Sequence, residues 1–317
     1  VLPFRLEQAL PRIGEKTKPY ADYRALLDDQ TVDAVLIATP FNLHAQMLLD
    51  ALDAGKHVYC EKTMCYGIEP ALAAARKALA SKKIVQTGHQ YHSSRLYHEV
   101  VKQVNAGLIG EIALIECQWN RNGDWRRPVP DPALERQINW RMYREYSGGL
   151  VAELCSHQID FANWLLDAHP LKISGFGGID YWKDGRETYD NVHLLMEYPG
   201  GVKAGFTCLT TNAREGYQVK IAGKKGTVVV GMDQAWVYSE ETIRSSETGT
   251  LVDGVSGATK NYGGLGVGRS LNIVHEDPSI QALIDFRENI LQNTQPLSNA
   301  ETGARVSIAV QLALDAM

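Results

Sequence analysis

The chain has 317 residues, 44% of them hydrophobic and 22% charged, with a formal net charge of -5 and no basic block. This composition excludes a disordered chain and is typical of a globular protein with a large core, and the charge excludes an electrostatic footprint for nucleic acid or an anionic membrane. No apolar run reaches the roughly 18 to 20 residues that cross a bilayer, and the start of the chain lacks the order of a signal peptide, so small polar molecules are the expected partners.

The first third of the chain alternates strands and helices. An apolar stretch over 32–38, within TVDAVLIATP, predicts a strand buried on both faces. Apolar residues at helical spacing follow it, and Gly55 ends that helix. Two more strands, in KHVYCEK and KIVQTGHQ, flank a helix predicted over about 69–81. This order predicts an α/β fold with a doubly wound, Rossmann-type parallel sheet within residues 1–93.

The beginning of such a domain is not found in the sequence. A dinucleotide-binding sheet normally opens with a strand, a glycine-rich turn and a helix whose N-terminus holds the pyrophosphate. Glycines 263, 264, 266 and 268 in YGGLGVG follow no predicted strand, so we interpret them as a loop rather than a phosphate site. We therefore expect the sheet to lack its first βαβ part and the chain to begin partway into the domain. The C-terminus likewise falls inside an apparent helix.

Residues 94–317 have a different pattern, which predicts a second, α+β domain. A helix over about 94–106 ends at Gly107, and strand segments joined by tight turns predict a large open antiparallel sheet. These segments are EIALIECQW, LKISGFGGI, NVHLLMEYP, VKAGFTCLTT, YQVKIAGKKGTVVVG and AWVYS. Helices are predicted near 151–166, 278–293 and 300–317, and the last two are expected to reach back to the first domain. The stretch 240–277 is predicted to be a long loop.

The five cysteines indicate reduced core residues rather than a metal site or a disulfide framework. They are odd in number and scattered through the chain. A zinc site built from Cys60 and Cys65 is disfavoured because no second cysteine or histidine pair is suitably spaced. We expect no metal.

Polar residues follow two of the predicted parallel strands, where an open α/β sheet binds its ligand. Thr39, Asn42 and His44 follow the first strand, and they suit a helix start with Asn42 as the N-cap, a cofactor contact, or both together. Glu61 and Lys62 end the next strand. Such a pair is usually a solvated turn, but a partly desolvated lysine can take part in proton transfer.

A third polar group lies on the helix predicted in GGLVAELCSHQIDFANWLL. Glu153, His157 and Asp160 are spaced so that they can share one face of that helix. The group suits a proton-transfer imidazole oriented by a carboxylate, or a buried trio that fixes the helix to the sheet. The segment 119–147 mixes aromatic and hydrogen-bonding residues suited to a sugar, with Trp125 and Arg126 preferred, although such loops often only face solvent.

In this order and spacing, DAVLIATPFNLHAQMLLDALDAGKHVYCEKT, VQTGHQYHSSRLY, GLIGEI and GGLVAELCSHQIDFANWLL resemble the Gfo/Idh/MocA family, which includes glucose-fructose oxidoreductase and inositol dehydrogenase. The resemblance implies that Lys62 is the catalytic lysine of the E-K-P signature and that Glu61 lies near the nicotinamide ribose. Thr63 replaces the usual proline, which suggests a less rigid turn. It also implies that His157 is the catalytic histidine and that Glu153 stands where inositol dehydrogenases carry aspartate.

The resemblance further implies that Thr39, Asn42, His44 and Gln90 line the cleft for the cofactor, NAD or NADP, with NAD favoured. The first hypothesis is hydride transfer between this cofactor and a ring carbon of a sugar, with Lys62 and His157 managing the proton and Glu153 orienting them. A glycosidase or lyase that oxidises its sugar only transiently, and a degenerate sugar-binding protein, are the alternatives. We also expect a homo-oligomer, a dimer or tetramer, formed through the open sheet. The cytoplasm is the expected location, with the periplasm as the alternative.

Overall fold

The computed structural model describes residues 2–14, 16–240, 268–273 and 276–317, and two helices precede its first strand. They are α1 (Pro3–Ile13) and α2 (Tyr23–Leu27). Pro3 stands at the first position of α1, where a missing N–H costs nothing. The side chain of Asp22 caps α2 by accepting from the Arg24 N–H. The sequence analysis identified neither helix.

Three parallel strands form the first sheet, as the sequence predicts. They are β1 (Ala34–Ile37), β2 (His57–Cys60) and β3 (Val85–Thr87), in the order β1-β2-β3. Helices α3 (Phe41–Asp53) and α4 (Ile68–Ala80) connect them. Gly55, with φ +71°, lies just after the end of α3 in the left-handed region that glycine adopts without strain. The predicted Rossmann-type arrangement is confirmed.

The first strand differs from its prediction because it is an edge strand. Among the described residues β1 pairs only with β2, and Leu36 is 54% exposed. The apolar run over 32–38 therefore does not form a strand buried on both faces. The second strand has the more buried pattern, with Val58, Tyr59 and Cys60 all buried, because strands pair with it on both sides.

The second sheet has eight strands in the order β11-β10-β9-β8-β4-β7-β6-β5. It follows helix α5 (Arg95–Asn105) and consists of β4 (Ile112–Trp119), β5 (Lys172–Gly178), β6 (Asn191–Glu197), β7 (Lys203–Leu209), β8 (Tyr217–Gly223), β9 (Gly226–Val230), β10 (Ala235–Ser239) and β11 (Arg269–Ser270). All the predicted strands are present. The sheet is open as expected, but it is mixed, since the central neighbours β4 and β7 run parallel.

One face of this sheet is covered and the other is open. Along β6 and β7 buried and less buried residues alternate, with Leu194 and Phe206 on the inner face. The inner face packs on a π-helical turn (Val151–Cys155) and on α7 (Ser156–Leu166), which continues from that turn. On the outer face Phe176 is 83% exposed. This alternation is what an antiparallel layer with one solvated face requires.

Short helical pieces interrupt the segment between β4 and the π-helical turn. A three-residue 3-10 turn leads into α6 (Glu135–Ile138), and a second 3-10 turn (Trp140–Met142) follows. The segment is therefore partly helical, and near its start the Arg121 and Gly123 N–H groups donate to the Leu209 and Thr210 carbonyls at the end of the second sheet.

The two C-terminal helices contact the first sheet and the segment that follows its second strand. They are α8 (Pro278–Gln292) and α9 (Ala300–Asp315). Gln86 donates to the Ala282 carbonyl at 2.8 Å, and Ser307 accepts from the Cys65 N–H at 3.1 Å. The chain thus crosses to the second sheet and returns. The domain boundary near residue 93 stays a prediction.

Most of the predicted loop over 240–277 lies outside the described residues, as do glycines 263, 264 and 266 of YGGLGVG. Its described end contains β11, a two-residue strand paired with β10 that the sequence analysis missed. The five cysteines are buried and free. In the described part of the chain, no helix is long and apolar enough to span a bilayer.

Candidate active site

Two cavities lie beside the ends of the parallel strands. The first, about 790 Å3 in volume and here called the β1-edge cavity, runs along β1 and is lined by Thr39, Asn42 and Trp140 among others. The second, about 630 Å3 and here called the Lys62–His157 cavity, lies against the second sheet. Its lining comprises Lys62, Trp119, Arg121, Trp125, Arg126, Arg127, Pro128, Arg141, Glu153, Leu154 and His157. The Phe41 ring lies between the two, 5.0 Å from the Trp140 ring and 5.6 Å from the Lys62 ammonium.

Lys62 and Glu153 meet at the second cavity although they are far apart in the chain. Lys62 Nζ donates to the Glu153 carbonyl at 2.9 Å and lies 3.3 Å from Glu153 Oε2. The other carboxylate oxygen, Oε1, is 2.7 Å from Nε of Arg141. The Lys62 and Glu153 side chains are only 13% and 10% exposed. A carboxylate between two cations in this partly desolvated place fixes the direction of the Lys62 ammonium.

The π-helical turn has backbone carbonyls that bind two of the residues following β2. Its Ser156 N–H reaches back five residues to the Val151 carbonyl. The Ala152 and Glu153 carbonyls accept side-chain donors, since Thr63 Oγ1 bonds to Ala152 at 2.9 Å and Lys62 Nζ bonds to Glu153. Single π-helical turns inside helices occur often at functional sites. Here the turn joins the first sheet to the second.

The turn after Lys62 is held by hydrogen bonds rather than by a proline ring. The Lys62–Thr63 peptide is cis, and Thr63 uses both its hydroxyl, toward Ala152, and its carbonyl, 3.1 Å from Nδ1 of His44. The other ring nitrogen of His44 lies 2.7 Å from the Thr39 carbonyl. His44 is fully buried, lines neither cavity and connects the segments that follow the two strands, so its predicted cofactor contact stays a prediction.

The placement of the remaining predicted cofactor residues is uneven. Asn42 lies in the first turn of α3, whose N-cap is Pro40, so the predicted N-cap role of Asn42 is wrong. Glu61 is partly buried, and burial raises its pKa despite the opposing charge of Lys62. Gly88 permits this arrangement, because a Cβ there would lie 2.7 Å from Glu61 Oε2. Gln90 lines neither cavity.

His157 lies on the wall of the Lys62–His157 cavity among aromatic rings. Its ring centroid is 5.3 Å from that of Tyr91 and 5.4 Å from that of Trp119. The residue is 5% exposed, and within the described chain its Nδ1 is buried without a hydrogen-bond partner. Burial and then the nearby Lys62 charge lower the pKa of His157 well below its ordinary value. The imidazole is therefore neutral at pH 7 and able to accept a proton.

Asp160 belongs to a separate buried group behind His157. Its Oδ2 is 2.9 Å from His92 Nε2, and its Oδ1 is 3.9 Å from His89 Nδ1. The ring of His89 is 6.0 Å from that of His157. Asp160 does not line the cavity, so of the predicted trio only Glu153 and His157 do. The sequence analysis missed His89 and His92, although both directly follow β3, where the strand-end rule would have pointed to them.

We expect this buried group to make the protein acid-labile. Burial lowers the pKa of His89 from 6.5 to about 4, so the unfolded chain binds that proton first as the pH falls. The free energy of unfolding should therefore decline from about pH 6.5 and level off below about pH 4, by roughly 3 kcal/mol for His89 alone. Urea denaturation at a series of pH values measures this decline.

A matched pair of variants assigns the effect. His89→Gln removes the titrating ring and should flatten the decline, whereas His169→Gln, at an exposed histidine, should leave it unchanged. Equal slopes in both variants would contradict the assignment, whatever the stability of each at pH 7.

The segment that closes the Lys62–His157 cavity carries Trp125 and Arg126. Trp125 has a φ of +65°, a left-handed conformation that bulky residues rarely adopt and that is commonest at ligand sites. The Arg126 guanidinium is already paired, with Nε 3.0 Å from Asp184 Oδ2 and Nη1 in contact with Glu135. Hydrogen bonds from Arg186 and from Arg126 lower the pKa of Asp184 well below its usual range. Arg126 therefore holds the segment in place more than it offers a free donor.

The described residues fit one half of a nicotinamide dinucleotide. Thr39 and Asn42 line a cavity at the carboxyl end of β1, next to Lys62, which is where an open parallel sheet binds such a ligand. The described residues contain no glycine-rich turn between a strand and a helix, so no pyrophosphate cradle is found among them.

Comparison with family models gives two matches that together cover most of the chain. Residues 6–89 match the oxidoreductase family with an NAD-binding Rossmann fold, GFO/IDH/MocA, and residues 97–229 match the GFO/IDH/MocA C-terminal domain. The two matches fall on the first sheet and on the second.

Individual proteins are similar at lower identity. The scyllo-inositol 2-dehydrogenase (NAD(+)) of Bacillus subtilis is 25% identical over 231 residues, 72% of this chain and 63% of that protein. Levoglucosan dehydrogenase of Pseudarthrobacter phenanthrenivorans is 30% identical over 239 residues, 68% of this chain and 59% of that protein. The chain thus spans less than two thirds of either relative. The crystal structure of aldose-aldose oxidoreductase from Caulobacter crescentus superposes with a TM-score of 0.76 at 19% identity, covering 99% of this chain and 86% of that one, and shares its fold.

Proposed function

This chain belongs to the GFO/IDH/MocA family of oxidoreductases, and from that premise we propose that it transfers a hydride between NAD(P) and a ring carbon of a sugar. The observation that supports this most is the meeting of Lys62, Glu153 and His157 at one cavity beside the carboxyl ends of the parallel strands. The names of the relatives, an inositol and a levoglucosan dehydrogenase, support a ring hydroxyl as the reacting group.

His157 accepts the hydroxyl proton of the substrate, and Lys62 stabilises the oxygen that loses it. When the substrate is an alcohol, its hydroxyl proton passes to the neutral imidazole of His157 while the C–H hydride leaves the same carbon, so that a ketone forms. Lys62 donates a hydrogen bond to the substrate oxygen and stabilises the negative charge that develops there. Glu153 holds the Lys62 ammonium in that direction through the contacts described above. In the reverse reaction the same groups return the proton to the ketone oxygen.

The nicotinamide ring, when bound, supplies the chemistry of hydride acceptance and return. We propose that Thr39 and Asn42 contact it from the β1-edge cavity, which they line. We propose that Glu61, which lines neither cavity, lies near its ribose, as the family resemblance implies. NAD is favoured over NADP. The residues that distinguish the two ordinarily lie after the glycine-rich turn, so the choice needs a measurement.

The test is an assay of this protein with NAD+ or NADP+ and a panel of cyclic sugars and inositols, monitoring the absorbance of the reduced nicotinamide. Turnover with a ring alcohol and loss of turnover when that hydroxyl is absent support the proposal. Release of an aglycone from a glycoside without net reduction would replace it with transient oxidation and elimination. Sugar binding without either reaction would indicate a sugar-binding protein and not an enzyme.

We further propose that copies of the chain associate through the outer face of the second sheet. Phe176 is 83% exposed there and Leu195, on the neighbouring strand, is 54% exposed. Apolar side chains on an open sheet face are usually covered by another surface.

Phe176→Lys should therefore dissociate the oligomer into monomers in light scattering coupled to size exclusion. Leu79→Lys, at a similarly exposed position on α4 (72%), should not. A wild-type protein that is monomeric at micromolar concentration would refute the association.

A further inference from the structure

The Lys62–His157 cavity is strongly cationic for a protein with a net charge of -5. Its lining carries one lysine, four arginines and a single carboxylate, Glu153. A partly enclosed cavity of one sign raises the local concentration of ligands of the opposite sign. The distribution of partners among these five cations decides whether that charge is available to a ligand.

Three of the five cations already have acidic partners. Lys62 and Arg141 share the carboxylate of Glu153, with Arg141 Nε 2.7 Å from Oε1. Arg126 is paired with Asp184 and Glu135, which hold all sides of its guanidinium. These three cations maintain the shape of the cavity.

Arg121 and Arg127 differ from the other three. Within the described part of the chain no carboxylate or carbonyl contacts either guanidinium, and Arg121 only stands over the Trp119 ring at 5.4 Å from its centroid. Both residues are exposed, but they border the same cavity as His157 and Trp125. The backbone of Arg127 is fixed on both sides by Asn139, whose Oδ1 accepts its N–H at 2.7 Å and whose Nδ2 donates to its carbonyl at 3.0 Å. Arg127 therefore projects from an anchored position.

We propose that the substrate is an anionic sugar, a sugar acid or a sugar phosphate, whose oxyanion is bound by Arg121 and Arg127. The proposal rests on the function proposed above and names its substrate class. A guanidinium pairs with carboxylate or phosphate through two parallel hydrogen bonds, which gives orientation as well as attraction. With the anion held by these two arginines and the ring against Trp119 or Trp125, a ring hydroxyl is directed toward His157.

Binding can be measured without turnover, because Trp119 and Trp125 line the cavity and report on it by fluorescence. The ligands are glucuronate, its uncharged analogue glucuronamide, glucose and glucose 6-phosphate. We expect at least one of the two anions to bind about tenfold or more tighter than glucose, and glucuronate to exceed glucuronamide if the group is a carboxylate. The better anion distinguishes a sugar acid from a sugar phosphate.

Variants locate the anion. Arg121→Gln and Arg127→Gln should each weaken binding of the preferred anion about tenfold, with little effect on glucose. Arg76→Gln, at an exposed arginine of α4, should leave all affinities unchanged. Raising the salt concentration should weaken binding of the anion and leave binding of glucose unchanged.

Several outcomes would overturn the proposal: equal or tighter binding of the uncharged sugars, no binding of either anion, or anion binding that the two variants do not change. The proposal is also wrong if Arg121 and Arg127 are needed for the binding of NADP and not for the binding of a sugar. Turnover of neutral sugars alone leaves the proposed function standing and this inference wrong. If both arginines bind the anion but the Lys62→Met variant keeps full turnover, this inference stands and the proposed function is wrong.

Discussion

Replacing His157 with asparagine should lower kcat for oxidation of the sugar by about 10²-fold or more. Asparagine keeps a polar group of similar size on the cavity wall but cannot take up the hydroxyl proton. The loss should appear in kcat more than in KM, because the proton moves in the transition state and is not part of substrate binding. Steady-state rates with the substrate found in the panel assay measure it.

The pH dependence adds a second readout for His157. Because burial and the Lys62 charge lower its pKa, protonation of the ring should inhibit oxidation only well below pH 6.5. His169→Asn, at an exposed histidine, is the control for a general effect of losing an imidazole. Full turnover in the His157 variant, or a wild-type rate that falls on the acid side of pH 7 with an ordinary histidine profile, would contradict the role.

Replacing Lys62 with methionine should also lower kcat by about 10²-fold or more. Methionine preserves the length and apolar stem of the side chain and removes only the ammonium. The positive charge then no longer stabilises the substrate oxygen as its proton leaves. Glu153 keeps Arg141 as a partner at 2.7 Å, so the variant should stay folded.

Two controls separate chemistry from folding for Lys62. Lys82→Met, at an exposed lysine between α4 and β3, should have wild-type activity. Thermal denaturation of the Lys62 variant should give a melting temperature within a few degrees of wild type, since only one partner of a shared carboxylate is lost. A large loss of stability together with the loss of rate would indicate a structural role for Lys62, and unchanged turnover would exclude it from the reaction.

If Lys62 and His157 act together on the same hydroxyl group, the rate losses caused by replacing each of them should not multiply. The double variant Lys62→Met, His157→Asn should be little slower than the slower of the two single variants, because residues that act as a unit lose their joint effect once either is removed. Fully multiplicative losses would indicate two independent roles. Comparison of the four rates gives the coupling directly.

The local pattern of the sequence predicted the elements well where apolar spacing is regular. The strands of both sheets other than β11, and the helices containing Met47, His157 and Val306, are found where they were predicted. Strand and helix periods depend on neighbouring residues, and the inward face of each element must be apolar wherever it packs. The same reasoning indicated Lys62, Glu153 and His157, since polar residues at strand ends and at helical spacing are visible in one dimension.

The prediction was wrong where an outcome depends on distant neighbours. The run over 32–38 is apolar enough for a central strand, yet β1 lies at an edge, and sheet order is not written in its own residues. The parallel pairing of β4 with β7 likewise depends on how the chain crosses between them. Asn42 suits an N-cap by type, but Pro40 takes that position.

Residue type and spacing determined which groups could handle a proton, because titration chemistry and helical periodicity are properties of the chain itself. Only the tertiary structure decided which of them share a cavity: Glu153 and His157 line one cavity with Lys62, while Asp160 lies beside His89 and His92. It also decided which cations have acidic partners, since among the described residues Arg126 is paired and Arg121 and Arg127 are not. The physical reason is that burial and ion pairing are set by groups far away in sequence, so their energies arise only once the chain has folded.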